Sequence, residues 1–294
     1  MKALIYTAPE TMVYRDAAEP TLREGEVLVR VNASGICGSD MHAYHGHDPI
    51  RRPAPIILGH EASGLTPDGR RVTINPLVTC GTCKFCTSGR ENICPSRELI
   101  SMKGREGTFA EYVAAPAENL TEVPDGVSFE HAAMAEPIAV CWHAARLALN
   151  VTGQVDYAVV LGGGAIGVGS ALSLMAMGVS RIIVTEPNDI RRKALEQIDG
   201  IEVAASTAGL PLSDLVIDAV GYEGTRAEAS AIVDHGGVIA HIGLGSNEGG
   251  LDIRRMTLQE ITFIGTYCYT RKDFNAAAQA IFDGRLGDFN WIEE

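Results

Sequence analysis

The chain has 294 residues, of which 46% are hydrophobic and 21% charged, and its formal net charge is -13 at pH 7. This composition is typical of a folded globular protein, and at about 150 residues per domain the length predicts two domains. The negative charge excludes nucleic acid as an expected partner, because such affinity depends on Lys and Arg that displace counterions. The N-terminal MKALIYTAPETMVYRD lacks the apolar stretch of a signal peptide, which predicts a cytoplasmic protein.

The first half of the chain is rich in turns. Short β-type runs, EVLVRVNA, RRVTINP and FAEYVAAP, are separated by clusters of Gly and Pro. Runs of this kind are typical of short strands joined by tight connections. Residues 1–137 are therefore predicted to form a mostly β domain.

Two glycine-flanked motifs in this half contain candidate ligands. Cys37 lies in GICGSDMH, while His60 and Glu61 lie in LGHEASG. The glycines allow these side chains to approach a bound group closely. Cys37 alone is more simply explained as a small buried hydrophobic residue, since free cysteines are among the most buried residue types. Its combination with the second motif favours a ligand role instead.

Four further cysteines follow within one short segment. TCGTCKFCTSGRENIC places them in the spacing C-x2-C-x2-C-x7-C, at positions Cys80, Cys83, Cys86 and Cys94. Four thiolates in one loop suit tetrahedral Zn, with bonds of about 2.3 Å and no open position, so the predicted site is structural. An iron–sulfur cluster, disulfides and a nucleic-acid-binding zinc ribbon are the alternatives, and their usual spacings or redox compartment fit this segment less well.

From about Glu136 onward, apolar strands alternate with amphipathic helices, a pattern typical of a parallel sheet built by βαβ crossovers. The predicted strands are 158–161, 181–185, 215–220, 238–242 and 261–266. The uncharged stretch 157–180 is long enough to span a bilayer, but its GGGAIG segment interrupts the apolar surface that a membrane helix needs. Residues 138–267 are therefore predicted to form a doubly wound α/β domain, with no membrane contact.

A glycine-rich turn links the first of these strands to a helix. In VVLGGGAIGVG, Gly162, Gly164 and Gly167 have the G-x-G-x-x-G spacing of dinucleotide-binding loops, with Ala165 and Ile166 between them. The first glycine permits a tight turn, the second lets a pyrophosphate approach the backbone, and the third allows the helix to pack closely on the strand. The NH groups at the helix N-terminus then bind the phosphates.

An acidic residue follows where such loops require one. Glu186 ends the strand RIIVT, about 20 residues after the glycines, where a carboxylate accepts hydrogen bonds from the ribose hydroxyls and repels a 2′-phosphate. NAD is therefore predicted in preference to NADP. A solvated residue at a strand end is the alternative for Glu186. Arg191 and Arg192 follow closely and weaken the discrimination against NADP.

Together these motifs make the chain resemble the zinc-containing medium-chain alcohol dehydrogenase family, and within it the polyol branch that includes sorbitol dehydrogenases. The motifs follow the family's order along nearly the whole chain: GICGSDMH, LGHEASG, the cysteine segment, AEPIAVCWHA and GGGAIG. The resemblance implies a GroES-like catalytic domain over 1–137, to which 268–294 return, and an NAD-binding Rossmann domain over 138–267. It also implies one catalytic and one structural zinc, and a homodimer or homotetramer.

The resemblance assigns roles to individual residues. Positions matching Cys37 and His60 bind the catalytic zinc in the family, and the position of Glu61 supplies a direct ligand or holds a metal-bound water. Glu136 stands where the polyol branch has a further glutamate that binds zinc directly or through water. A carboxylate just before Pro137 also suits a helix N-terminus, which is the alternative for Glu136.

Ser39 and His42 match residues that carry the alcohol proton to solvent in related enzymes. Histidine suits a relay because its unperturbed pKa of about 6.5 lets it bind and release protons near neutrality. A turn-stabilising hydroxyl is the alternative for Ser39. His45 and His47 in AYHGHDP are not expected to bind metal, since zinc already has enough ligands.

The implied reaction is hydride transfer between NAD and a polyol, diol or secondary alcohol, with zinc acting as a Lewis acid. A threonine-type amino alcohol is an alternative substrate, because Tyr267 stands near the position where sorbitol dehydrogenases usually carry Arg. The family usually continues past WIEE, and SGLTPDGRR and QIDGIEVAAS are short for it. A catalytically weak, NAD-binding regulatory relative is therefore a second alternative.

Overall fold

The computed structural model describes residues 1–289 and 291–292. The chain divides into two compact units. The first combines Met1–Glu136 with Thr270–Phe282, and the second combines Pro137–Tyr269 with a terminal segment that begins at Asp283.

Antiparallel strands form most of the first unit. The strands are β1 (Lys2–Ala8), β2 (Thr11–Asp16), β3 (Glu26–Gly35), β4 (Ile56–Ile57), β5 (Glu61–Leu65), β6 (Arg71–Ile74), β7 (Leu77–Val78), β8 (Glu98–Leu99), β9 (Tyr112–Pro116) and β10 (Leu120–Glu122). They build a three-stranded sheet of order β2-β1-β4, a five-stranded sheet of order β10-β6-β5-β3-β9 and the pair β7-β8. The helices of this unit are α1 (Gly38–Tyr44), α2 (Phe129–Ala133) and, from late in the chain, α8 (Arg271–Phe282).

The five-stranded sheet positions one of the sequence motifs. Its strands bury a shared set of apolar side chains, namely Val29, Ala62, Val72, Ile74, Ile100, Val113 and Ala115. A shift of one residue would move such side chains to the opposite face, so this core fixes the register between strands. In that register Gly35, the last residue of β3, pairs with Glu61, the first residue of β5. The strands thereby bring LGHEASG beside the segment that precedes Cys37.

The second unit is a parallel α/β structure. Its strands are β11 (Tyr157–Leu161), β12 (Arg181–Thr185), β13 (Ile201–Ala204), β14 (Ser213–Asp218), β15 (Val233–His241) and β16 (Thr262–Gly265), with helices α3 (Ala135–Thr152), α4 (Ala165–Ala176), α5 (Asp189–Leu195), α6 (Glu223–Ile232) and α7 (Ile253–Leu258). The sheet order is β13-β12-β11-β14-β15-β16, and every pairing is parallel. The order reverses between β11 and β14, and ligands of such sheets bind at that point beyond the carboxyl ends of the strands. The predicted fold class is confirmed.

Each predicted strand of this sheet is present, with ends that differ by up to five residues. The sequence analysis missed β13, because IEVA is short and only its parallel pairing with β12 distinguishes it from a loop. The stretch 157–180 forms β11 and α4 rather than one continuous helix. In the part of the chain that the structure describes, no helix is long and apolar enough to cross a membrane.

The terminal part of the chain is grouped differently from the prediction. Residues 268–294 are predicted to return to the first unit, but of the described residues only Thr270–Phe282 do so, and those from Asp283 onward belong to the second unit. Positions 290, 293 and 294 of the predicted segment lie outside the described residues. Within that second unit the Arg285 guanidinium lies 5.7 Å from the ring centroid of Trp142. Leu286 and Phe289 are almost fully buried. Their burial explains why this segment groups with the α/β unit.

Candidate active site

The four-cysteine segment forms a loop between β7 and β8, with short 3-10 turns at Cys86–Ser88 and Glu91–Ile93. The Sγ atom of Cys80 lies 3.8 Å from that of Cys86 and 3.5 Å from that of Cys94, and Cys83 Sγ lies 3.5 Å from Cys86 Sγ. Four sulfurs at about 2.3 Å from one tetrahedral ion are separated by about 3.8 Å. The cysteine loop therefore has the size and geometry of a single-ion zinc site.

The alternatives for the cysteine loop fit these distances less well. All four cysteines have free thiols, so disulfide pairing is not observed. An iron–sulfur cluster distributes its cysteines over several irons, which requires a wider spread of sulfurs than one zinc ion does. Hydrogen bonds from the NH groups of Thr82 and Cys83 lower the pKa of Cys80 to about 6. That thiolate is the form in which cysteine binds metal.

The second predicted group also converges. Ligand atoms of Cys37, His60 and Glu61 all lie within 4.8 Å of one another. Cys37 is the N-cap residue of α1, His60 directly precedes β5, and Glu61 begins that strand. A Cβ atom at Gly35 would lie 2.2 Å from Glu61 Oε2, so the absence of a side chain there is what admits the carboxylate. These three residues form the donor trio.

His60 is oriented by two residues that the sequence analysis did not identify. Its Nδ1 lies 3.6 Å from Asp40 Oδ1 and 3.5 Å from Ser101 Oγ, which leaves Nε2 for a metal. Asp40 is three residues after Cys37 and acts as the N3 residue of the α1 capping box. That capping position was a detectable signal, whereas nothing local marks Ser101.

The donor trio is electrostatically perturbed. Burial disfavours the imidazolium, yet the neighbouring side chains of Asp40 and Cys37 and the charge of Glu136 raise the pKa of His60 well above its usual range. Burial and the negative charge of Glu136 raise the pKa of Glu61 to about 7. Both shifts reflect buried negative charge that a bound cation would offset.

Glu136 is buried in the first turn of α3. Its charge acts on His60 and Glu61, but it does not belong to the group whose ligand atoms lie within 4.8 Å of one another. A place in the first helical turn also fits the helix-terminus alternative. Whether Glu136 binds zinc therefore stays a prediction.

The predicted relay residues both lie on α1. Ser39 Oγ accepts a hydrogen bond from Arg52 Nη2 at 3.1 Å. His42 is exposed, and its ring centroid lies 4.9 Å from that of His47. His45 Nδ1 lies 3.6 Å from Glu10 Oε1. Among the described residues, none of the three exposed histidines joins a group with metal-ligand geometry.

The glycine-rich turn follows β11 in the second unit. Gly162 has a φ of +97°, in the left-handed region that favours glycine. A Cβ atom at Gly167 would lie 1.8 Å from the Gly162 carbonyl oxygen, so the third glycine permits the close packing of helix and turn. Gly164 is the N-cap of α4, and Ala165 and Ile166 open that helix. The arrangement leaves helix N-terminal NH groups at the carboxyl edge of the sheet.

Glu186 directly follows β12 and is buried. Its Oε2 accepts a hydrogen bond from the Gly163 NH at 3.0 Å, and its Oε1 accepts one from the Asn188 NH at 2.9 Å. Arg191 Nη1 lies 3.9 Å from the same carboxylate. Glu186 is thus not a simple solvated residue, because it ties the strand end to the glycine turn.

Comparison with known proteins identifies the family. Residues 23–125 match the alcohol dehydrogenase GroES-like domain, and residues 165–283 match the zinc-binding dehydrogenase domain. A sorbitol dehydrogenase of Bacillus subtilis is 30% identical, over 92% of this chain and 82% of the relative. The chain belongs to the zinc-containing medium-chain alcohol dehydrogenase family. This dehydrogenase is accordingly an oxidoreductase that uses zinc and a nicotinamide dinucleotide, as predicted.

Two further relatives cover almost the whole chain. An L-galactonate-5-dehydrogenase of Escherichia coli is 29% identical to this dehydrogenase, over 97% of this chain and 88% of the relative. The crystal structure of an alcohol dehydrogenase (rspB) from E. coli CFT073, complexed with NADH, is 26% identical and covers 98% of this chain and 89% of its own, with a TM-score of 0.86. The predicted polyol-like branch is confirmed.

We predict two zinc ions per chain, one lost in Cys94→Ser and the other in Cys37→Ser. Cys94→Ser should also lower the melting temperature strongly, because structural zinc contributes folding free energy directly. Cys37→Ser should abolish turnover with little change in melting temperature. Mass spectrometry measures the zinc content of each variant, and calorimetry measures its melting temperature. Cys141→Ser is the control and should keep both ions, since its thiol lies in the second unit, where it donates to the carbonyl oxygens of Pro137 and Ile166. Unfolding of Cys37→Ser would make that residue structural.

We also predict that Glu186→Ala weakens NAD binding by about tenfold to 100-fold, because hydrogen bonds to charged groups contribute about 1.5–3 kcal/mol. The same variant should narrow the preference for NAD over NADP, because it removes the charge that repels a 2′-phosphate. Glu186→Gln keeps an oxygen acceptor for the Gly163 NH and removes the charge, so it isolates the repulsion of a 2′-phosphate. Titration of both cofactors by protein fluorescence gives the affinities. An unchanged NAD to NADP ratio in both variants would refute this role.

Proposed function

We propose that the chain oxidises a secondary alcohol of a polyol or diol to a ketone, with NAD as hydride acceptor, and that it also catalyses the reverse reaction. The observation that carries the proposal is the convergence of the ligand atoms of Cys37, His60 and Glu61 within 4.8 Å. A thiolate, an imidazole and a carboxylate suit Zn²⁺, and three protein ligands leave a fourth position for substrate.

Zinc bound at the donor trio supplies a Lewis acid for the alcohol oxygen. In this proposal Cys37, His60 and Glu61 hold the ion, and Glu136 adds a ligand either directly or through water. Asp40 keeps His60 in one orientation through its contact with Nδ1. His60, Glu61 and Glu136 are buried, and removal from bulk water strengthens their electrostatic interactions.

Proton and hydride leave the alcohol by separate routes. We assign Ser39 to accept the hydroxyl proton and His42 to release it to solvent, consistent with the exposure of His42 on the same helix. The hydride moves to the nicotinamide, so that an alcohol and NAD⁺ give a ketone, NADH and one proton.

The remaining predicted residues have supporting roles. The cysteine loop holds a structural zinc, because four thiolates leave no position for substrate. The glycine turn and the start of α4 bind the cofactor phosphates, and Glu186 accepts hydrogen bonds from the ribose while Arg191 lies at its edge. The residues of this nucleotide site are Gly162, Gly164, Ala165, Ile166, Gly167, Glu186 and Arg191. Cytoplasmic location and a homodimer or homotetramer stay predictions.

The polyhydroxylated substrate class is supported by the relatives described above, which are named for sorbitol and L-galactonate. Both substrates carry secondary hydroxyl groups beside further hydroxyls. Tyr267 stands near the position where sorbitol dehydrogenases usually carry Arg, which weakens the assignment to sorbitol itself.

The proposal is tested by measuring NADH formation with sorbitol, L-galactonate, butane-2,3-diol, simple secondary alcohols and L-threonine, with zinc present. We expect turnover with at least one polyol, sugar acid or diol, and none with Cys37→Ser, which serves as the matched control. Exclusive turnover of L-threonine would contradict the substrate class. Absence of turnover with every compound, by a protein that binds both zinc ions and NAD, would indicate the regulatory alternative instead.

A further inference from the structure

A buried guanidinium lies behind the donor trio. The side chain of Arg52 is 1% exposed. Its Nε donates to the Ser101 carbonyl oxygen at 3.0 Å, and its Nη1 donates to the Ser39 carbonyl oxygen at 2.9 Å. Its Nη2 donates to Ser39 Oγ at 3.1 Å and to Ser101 Oγ at 3.3 Å. One side chain thus connects α1 to the segment that follows β8.

Both serines that Arg52 binds also contact the donor trio. The Ser39 NH donates to Cys37 Sγ at 3.5 Å. On the other side, Ser101 Oγ lies 3.5 Å from His60 Nδ1. The guanidinium is therefore one residue removed from two of the three ligand side chains.

Ser101 has a backbone conformation that needs external support. Its φ is +74°, in the left-handed region, and the residue is fully buried. A non-glycine residue in that region is strained and persists only where its surroundings hold it there, often at functional sites. Arg52 binds both the carbonyl oxygen and the hydroxyl of Ser101, so it contributes directly to that support.

The contacts of Arg52 differ from those of a directly hydrogen-bonded ion pair. Arg52 lies 3.9 Å from Asp40 Oδ1 and 3.7 Å from Asp48 Oδ2, which is beyond hydrogen-bond distance. Arginine–carboxylate pairs in proteins are often joined by two parallel hydrogen bonds. Here the N–H donors are directed at Ser39 and Ser101 instead, while the positive charge remains among buried carboxylates.

We propose that Arg52 is a positioning residue for the metal site, because through Ser39 and Ser101 it holds Cys37 and His60 in ligand geometry and orients the Ser39 hydroxyl. This inference rests on the proposed function. A guanidinium has five N–H donors and no acceptor, so Ser39 Oγ can only accept from it. The Ser39 proton must then point away from the guanidinium, toward another acceptor.

The test compares three variants of the full chain. Arg52→Met removes the donors at similar length, and Arg52→Lys keeps the charge without the planar fork. Arg51→Met is the matched control, since Arg51 carries the same charge, is 57% exposed and bonds to Asp48 but to neither serine. Zinc release to a coloured chelator is followed over time, and Cys94→Ser and Cys37→Ser identify which kinetic phase belongs to which site.

We expect Arg52→Met to weaken zinc retention at the donor trio by about tenfold to 100-fold, the usual effect of removing a group that orients a ligand. Release from the cysteine loop should be unchanged. The kcat should fall while the KM for NAD stays within about twofold, because the nucleotide loop belongs to the second unit. Arg52→Lys should recover part of the retention, and Arg51→Met should match wild type.

The proposal is overturned if Arg52→Met releases both zinc ions at the same rates as Arg51→Met. It is also overturned if Arg52→Met speeds release from the donor trio and from the cysteine loop equally, because that would indicate a general loss of stability in the first unit. If Arg52→Met does not fold, Ser101→Gly is measured instead, since glycine readily adopts the left-handed backbone conformation while the hydroxyl that Arg52 and His60 contact is removed together with its Cβ. It should release zinc faster from the donor trio alone, and wild-type release would overturn the proposal. Failure of the proposed function gives a different result, because the wild-type chain would then show both zinc-release phases but no turnover of any alcohol. A single zinc-release phase from the wild-type chain would contradict both proposals.

Discussion

The concentration of buried negative charge around His60 is the constraint on which the first unit depends. Glu61, Glu136 and Asp40 are all buried, and Cys37 adds a thiol beside them. Ionised groups so placed repel one another and lose hydration, and the pKa of Glu61 accordingly rises to about 7. A divalent cation removes this conflict, because it converts mutually repelling groups into ligands of one centre.

The two metal-ligand groups of the first unit differ in the way that their proposed roles require. The cysteine loop takes all its ligands from one short segment, and its sulfur separations already match one tetrahedral ion. The donor trio instead takes ligands from the start of α1 and the start of β5, which the β3–β5 pairing brings together. A site assembled from two elements with three protein ligands is suited to catalysis, whereas a closed four-sulfur site is suited to stability.

Local spacing explains what could be predicted from the sequence. The cysteine loop and the glycine turn lie within short segments whose residue types and intervals carry the chemistry, and the α/β pattern revealed five strands of the parallel sheet. Ser101 and Arg52 could not be predicted, because both reach the site through tertiary contacts: Ser101 contacts His60 across 41 residues of sequence, and Arg52 contacts Ser39 across 13 and Ser101 across 49. The grouping of the segment from Asp283 with the second unit depends on burial of Leu286 and Phe289, which alternation alone does not reveal.

Anomalous diffraction at the zinc absorption edge, from crystals of the wild-type chain grown with NAD, tests the central claim most directly. The account predicts two zinc peaks in each chain, one about 2.3 Å from the four sulfurs of the cysteine loop and one bonded to Cys37 Sγ and His60 Nε2 at about 2.0–2.3 Å. A single peak at the cysteine loop, or a second peak bound by the exposed His42, His45 or His47 instead of the donor trio, would contradict it.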